Sequence, residues 1–174
     1  MTTPGAADIR SRLIEAMRAT FGDDRRRIDH ALSVLGYAER ILQAENADAT
    51  VVTAAAVLHD IGIHEAERVH GSSAGRYQEM EGPPIARRIM EELELDEKTI
   101  EHACRIVGSH HSAGDIDTPE FCIIWDADWL VNIRHEKPGA TAAELGEFIG
   151  RVFKTETGAE IARDTYVNGV GRQQ

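Results

Sequence analysis

The chain has 174 residues, enough for one domain with a real core and short of two. Its net charge of −11 disfavours a nucleic-acid polymer held by nonspecific electrostatics. No apolar run reaches the length of a membrane span, MTTPGAADIRSR lacks the apolar centre of a signal peptide, and Cys104 and Cys122 read as reduced residues of helices, so a cytoplasmic protein with no membrane partner is expected.

In chain order, Ile9, Leu13, Ile14 and Met17 recur at helical spacing over residues 7–20. FGDD at 21–24 interrupts, and Asp24 is placed to cap a helix over 25–44 that turns Ile28, Leu32, Leu35, Ile41 and Leu42 inward. A third helix runs from 47 to 61, with Asp48 as its cap and Gly62 at its end. The polar stretch 64–75 reads as an irregular loop. Pro83 and Pro84 are assigned to the start of a helix over 83–94, where proline is tolerated. Asp96 opens the next, which carries Ile100, Cys104 and Val107 and leads into His110 and His111. Pro119 starts a helix over 119–134, and two more follow at 141–154 and 158–168. There is no internal repeat, no low-complexity segment and no strand pair. The expectation is a single all-α domain over 1–174, a bundle of about seven to nine helices.

The adjacent pair His59-Asp60, in AAAVLHDIG (54–62), carries most of the chemical information. Burying an imidazole beside a carboxylate costs free energy unless something compensates both, and a divalent metal does so by taking nitrogen from one and oxygen from the other. His30 lies upstream and Asp126-Ala127-Asp128 downstream, each inside an apolar helical pattern. Two residues apart on a helix, Asp126 and Asp128 point about 200° from each other and cannot readily serve one ion. Ile124, Asp128 and Val131 share a stripe, which turns Asp128 inward; Asp126 then reads either as a carboxylate near the site or as a solvated helix residue. Two imidazoles and two carboxylates suit Mn, Fe, Co, Ni, Zn or Mg and leave positions open for water or substrate.

His30, His59-Asp60 and an Asp in IIWDADWLVNI resemble the H…HD…D pattern of the HD-domain superfamily of metal-dependent phosphohydrolases. The resemblance runs from about Arg25 to residue 134: RRRIDHALSVLGYAERI is similar to the family's first-ligand helix and IVGSHH to its I-x-x-H segment. It implies His30, His59, Asp60 and Asp128 as metal ligands, Asp128 being the Asp of an A-D-x-L segment. It also implies that a histidine at the place of His110 or His111 ligates a second metal or contacts substrate phosphate. Dinuclear relatives place a histidine in a segment resembling YQEMEGPPIARRI, where this chain offers only Glu79 and Glu81. Glu81 is therefore the candidate donor to a second ion, and its departure from the pattern favours a single one. The GYP signature of cyclic-dinucleotide phosphodiesterases is absent.

His110 continues the face of Ala103, Ile106 and Val107 and is expected to point inward; His111 follows Cys104 and Val107 on the adjacent stripe. Among the residues after the pair, His64 is the candidate general acid, because imidazole changes charge near neutral pH. Taken together, the readings predict a metal-dependent phosphohydrolase that cleaves a small phosphoester or nucleotide with a metal-activated water, with His64 and His110 as catalytic residues. The alternatives are a non-haem iron oxygenase on the same scaffold, or a sensor that binds a nucleotide or metal without turnover. The expected partner is a small phosphorylated substrate; the oligomeric state is left open, a homodimer included.

Overall fold

A computed structural model of the chain describes residues 6–169, and among these residues nine α-helices and one π-helical turn, with no strand, make up an all-α fold. The ends of the single-domain expectation, 1–5 and 170–174, lie outside the described residues. Caps set the helix starts. Asp24 accepts from the Arg27 N–H to begin α2 (Arg25–Leu42) just after α1 (Ala6–Phe21), and Asp48 accepts from the Thr50 and Val51 N–H groups to begin α3 (Ala49–Leu58). Each of these donors is one that a helix start leaves without an intrahelical partner.

The centre of the molecule is α3. Val51, Val52, Ala54, Ala55, Ala56, Val57 and Leu58 are all buried, leaving only Ala49, Thr50 and Thr53 of its first turns toward solvent, so it is packed from several sides, most heavily by α2. It stops at Leu58, one residue before the His59-Asp60 pair, which therefore sits in a turn over 59–62 at its inner end.

Two expectations are corrected beyond this point. The polar stretch after the pair is a helix, α4 (Ile63–His70), and not an irregular loop. Ile63 and Ala66 bury one stripe, and Gly71, at φ 65°, closes the last turn with its N–H on the Glu67 carbonyl. The next helix, α5 (Gly75–Glu92), starts well before Pro83, so both prolines stand inside it and remove two of its backbone hydrogen bonds. Packing offsets that loss. Gly82 lies so close to the 59–62 turn that a Cβ on Gly62 would stand 2.5 Å from the Gly82 nitrogen. On the other side, the Cys104 thiol of α6 (Glu97–Val107) reaches the Pro83 carbonyl at 3.5 Å.

Helix α6 is started by Asp96, which accepts from the Thr99 N–H and hydroxyl. It ends at Val107, so His110 and His111 belong to the turn that follows it. Helix α7 (Pro119–Glu136) packs on α2 and α3, and α8 (Ala142–Val152) and α9 (Glu156–Arg163) close over its far side, followed by a π-helical turn (Asp164–Asn168). One hydrophobic cluster extends from Leu13 to Tyr166. No helix among the described residues is long and apolar enough to cross a membrane.

Asp126 faces this far side and is fully buried, so it is neither near the metal-type donors nor solvated. Its carboxylate accepts from the Lys154 N–H at 2.8 Å, the Thr155 N–H at 2.7 Å and the Thr155 hydroxyl at 2.7 Å, which pins the α8–α9 connection to α7. Burial pushes its carboxyl up to about 6 against the pull of these donors. Replacing Asp126 with Asn sets an N–H₂ against some of the donors and should destabilise the fold by about 2–3 kcal/mol in urea unfolding. A change below about 0.5 kcal/mol, the range of a surface substitution, would show that the network carries no stability.

Candidate metal centre

Two helices and two turns converge on one point. His30 comes from α2, Asp128 from α7, His59 and Asp60 from the turn after α3, and His110 from the turn after α6. The imidazole of His59 is completely buried, and its Nδ1–H donates to the Ala56 carbonyl at 2.8 Å. The same device holds His110, whose Nδ1–H donates to the Val107 carbonyl at 2.7 Å. A carbonyl can only accept, so in both rings Nδ1 carries a proton and Nε2 is aimed inward. This is the arrangement found behind metal-ligating histidines.

The inward atoms lie close together. His30 Nε2 stands 3.2 Å from His59 Nε2, 3.5 Å from Asp60 Oδ2 and 3.1 Å from Asp128 Oδ1. His59 Nε2 is 3.6 Å from Asp60 Oδ2 and 3.7 Å from Asp128 Oδ1. Donors about 2.1 Å from a common ion stand roughly 3.0–3.4 Å apart, so His30, His59 and Asp60 form a three-donor group that fits one divalent ion, while Asp128 approaches it only from the side of the two imidazoles. His59 and Asp60 are also in the charge state a metal ligand needs. Burial depresses the His59 imidazole and keeps it neutral. Burial alone would raise the Asp60 carboxyl, but the surrounding His59, His110 and His30 rings outweigh it and hold Asp60 well below the usual carboxylate range.

A second group shares Asp60. His110 Nε2 is buried without a hydrogen-bond partner, 3.4 Å from Asp60 Oδ1, and His111 lies close enough to make a three-donor set with these two. His111 Nε2 meets the Gln78 side-chain oxygen at 3.2 Å, while the Gln78 amide donates to the Ser73 carbonyl at 2.7 Å. The His111 ring lies against bare backbone: a Cβ on Gly75 would come within 2.8 Å of it.

Glu81 and His64 are not brought to the cluster. Glu81 binds His70 Nε2 at 2.9 Å, because the turn of α5 that carries it faces α4 and not the cleft. Its neighbour Glu79 accepts from the His111 and Ser112 N–H groups and the Ser112 hydroxyl, fixing the turn after α6. His64 pairs with Asp24 at 3.0 Å and meets the Phe21 ring edge-on, since α4 turns it toward the α1–α2 connection.

Residues that carried no signal in the sequence complete the site. Asn132 donates to Asp128 Oδ1 at 2.8 Å from one turn further along α7 and orients that carboxylate. The cleft has two lobes that share His111, Asp128, Asn132 and Glu136. One, of about 380 Å³, also reaches Arg26, Arg27, His30, Asp60, Gln78 and His135; the other, of about 240 Å³, reaches His110, Trp125 and Trp129. The structure thus supplies Arg26 and Arg27 as cleft cations, whereas Arg87 is tied to Glu91 and Glu97.

The profile of the HD domain family matches residues 27–133, well over half of the sequence. The chain belongs to the HD domain family. The matched stretch of the HD domain contains His30, His59, Asp60, His110, His111 and Asp128, and leaves α8 and α9 outside it. The chain is similar to Ribonuclease Y of Petrotoga mobilis, at 29% identity over 146 residues; these are 84% of this chain but 24% of that protein, so the chain spans about a quarter of its length. A crystal structure of a predicted HD superfamily hydrolase from an uncultured Thermotogales bacterium matches with a TM-score of 0.66 at 24% identity, over 91% of this chain and 86% of that one, and shares the HD fold.

Protons and a metal compete for these HD-domain rings. Burial works against charge on His30 and His110, but the adjacent Asp128 and Asp60 carboxylates override it and raise both above the ordinary imidazole value. A raised value means that protonation sets in at higher pH. Metal affinity should therefore be retained above neutrality and fall by about tenfold per pH unit for each ligand ring that must lose a proton. Titrating the protein with Mn²⁺ at pH 8, 7, 6 and 5 measures this; an affinity that is flat across the series would exclude imidazole ligands.

Proposed function

We propose that this HD domain is a metal-dependent phosphohydrolase that cleaves a small phosphoester, with His30, His59, Asp60 and Asp128 holding a single divalent ion. The observation that carries the reading is the convergence of two inward Nε2 atoms on the Asp60 carboxylate, with Asp128 3.1 Å from His30 and 3.7 Å from His59 and with His59 fixed from behind by a backbone carbonyl. A divalent ion in such a site supplies a water of lowered pKa and polarises a phosphoryl oxygen.

The rest of the work falls to side chains. Asn132 holds Asp128 in register, so the carboxylate keeps one orientation as substrate enters. Arg26 and Arg27 face the cleft beside His30 and give an otherwise acidic protein local positive charge where a phosphate would sit. His110 stands at the floor of the cleft against Asp60 and is raised by it, which makes this imidazole the one placed to hold a proton near a departing oxygen. His64, tied to Asp24 outside the cleft, has no part in this scheme.

The oxygenase alternative needs two ions. Asp60, His110 and His111 are close enough to share one, but the α5 side chains nearby are engaged elsewhere: Gln78 with Ser73 and His111, Glu79 with the His111 and Ser112 N–H groups, and Glu81 with His70. This favours one ion and hydrolysis. Similarity to Ribonuclease Y raises RNA as a substrate, and the net charge of −11 weighs against a long strand.

The test is a panel of phosphomonoesters, a model phosphodiester and a short RNA, each assayed with and without added divalent metal. Asp60→Ala should lower both metal content and turnover, by at least roughly 100-fold in rate, since even partners behind the ligands commonly cost 10–100-fold. A folded, metal-depleted Asp60→Ala protein with full activity would remove the metal from the mechanism.

A further inference from the structure

We infer that the smaller lobe of the cleft is a subsite for a flat aromatic ring, so that the substrate is a phosphoester whose organic group carries one. The inference rests on the reading of the larger lobe as the place of the phosphate. The sequence has only two tryptophans, in a chain with 5% aromatic residues, and both line this one lobe. Trp125, Trp129, Asn132 and Glu136 recur at helical spacing, so a single stripe of α7 runs from two indoles to two polar side chains beside Asp128.

Both indoles are half-buried and held in place. Trp125 Nε1–H donates to the Val152 carbonyl at 3.1 Å, which uses the ring's only donor. The Lys154 ammonium covers part of the ring at 5.0 Å from its centroid, so what the indole offers the lobe is its remaining carbon surface. Trp129 is braced edge-on by Phe148, with ring centroids 5.0 Å apart. These contacts account for the buried edges. They do not account for two indoles opening together onto a cavity whose other walls are His110, His111 and Asp128.

Size supports a divided substrate. A lobe of about 240 Å³ is below the roughly 300–1,000 Å³ of a pocket that takes a whole drug-sized ligand, and it shares His111, Asp128, Asn132 and Glu136 as walls with the 380 Å³ lobe. A phosphoester that spans both puts its phosphate between the donor cluster and Arg26 and Arg27, and its ring on Trp129 and Trp125. Ring-on-indole stacking tolerates any flat ring, so a nucleobase and a simple aryl group are both of the right chemistry.

Because the two tryptophans are the chain's only ones, their emission reports the lobe directly. The protein is titrated with adenosine, adenosine 5′-monophosphate, phenyl phosphate and glycerol 3-phosphate, and tryptophan fluorescence is followed. Saturable quenching by the three ring-bearing compounds and none by glycerol 3-phosphate is expected. Adenosine has no phosphate to cleave, so its signal stands apart from catalysis. Tighter binding of adenosine 5′-monophosphate than of phenyl phosphate identifies a nucleobase; equal binding identifies any aryl group. Trp129→Ala should weaken adenosine 5′-monophosphate at least roughly fivefold, the low end of what a base–aromatic stack is worth, while inhibition by inorganic phosphate is unchanged and Trp129→Phe restores binding. If Trp129→Ala does not fold, the comparison of ring-bearing and alkyl phosphates on the unaltered chain still decides. Equal binding of glycerol 3-phosphate and adenosine 5′-monophosphate overturns the inference even if both are hydrolysed. Ring-dependent quenching with no ester turned over sustains the lobe and removes the hydrolase reading instead.

Discussion

Two hydrogen bonds from imidazole Nδ1–H groups to carbonyls three residues earlier, His59 to Ala56 and His110 to Val107, set the orientation of everything else in the cleft. Each comes from a turn that begins where a helix ends on a buried residue, Leu58 or Val107, and each leaves an Nε2 atom aimed at Asp60. Rotating either ring would strand a buried N–H, which costs about 1–3 kcal/mol, so the rings stay put through packing and not through any ligand. The fold therefore prepares the donor cluster. The close passage of Gly62 against Gly82 belongs to the same design, since it lets α5 lie directly on the turn that carries His59 and Asp60.

Charge is distributed unevenly around that cluster. The chain is strongly acidic overall, yet Arg26 and Arg27 face the cleft and form none of the ion pairs that occupy Arg10, Arg68 and Arg87 elsewhere on the surface. The same lining sets these two cations beside the Asp60, Asp128 and Glu136 carboxylates, so charges of both signs meet in the cleft. Asp126 shows the opposite use of a carboxylate: only two residues from Asp128, it serves the far side of α7 as a hub for backbone donors.

The sequence made the helices and the inward donors legible where apolar periodicity was strong. Spacing turned Asp128 inward with Ile124 and Val131, whereas the ligand roles of His30 and His59 came from their apolar helical setting together with the resemblance to the HD pattern. Helix α4 was hidden because its two turns bury only Ile63 and Ala66, and its remaining residues are those of a polar loop. Treating it as a loop left the direction of His64 open, and the helix turns that ring to Asp24. The Pro83-Pro84 pair masked the first half of α5, and with it the fact that Gln78, and not Glu81, is the side chain of that helix that faces the cleft. Neutral amides such as Gln78 and Asn132 carry no charge signal, and their roles emerge only from what they touch.

The claim on which the account depends is a single ion held by imidazole and carboxylate donors. X-ray absorption at the edge of the metal retained by the purified protein tests it most directly. The account predicts about one ion per chain with two imidazole nitrogens and carboxylate oxygens at about 2.0–2.2 Å. A metal–metal vector near 3.5–4 Å, or a coordination shell without imidazole, would contradict it.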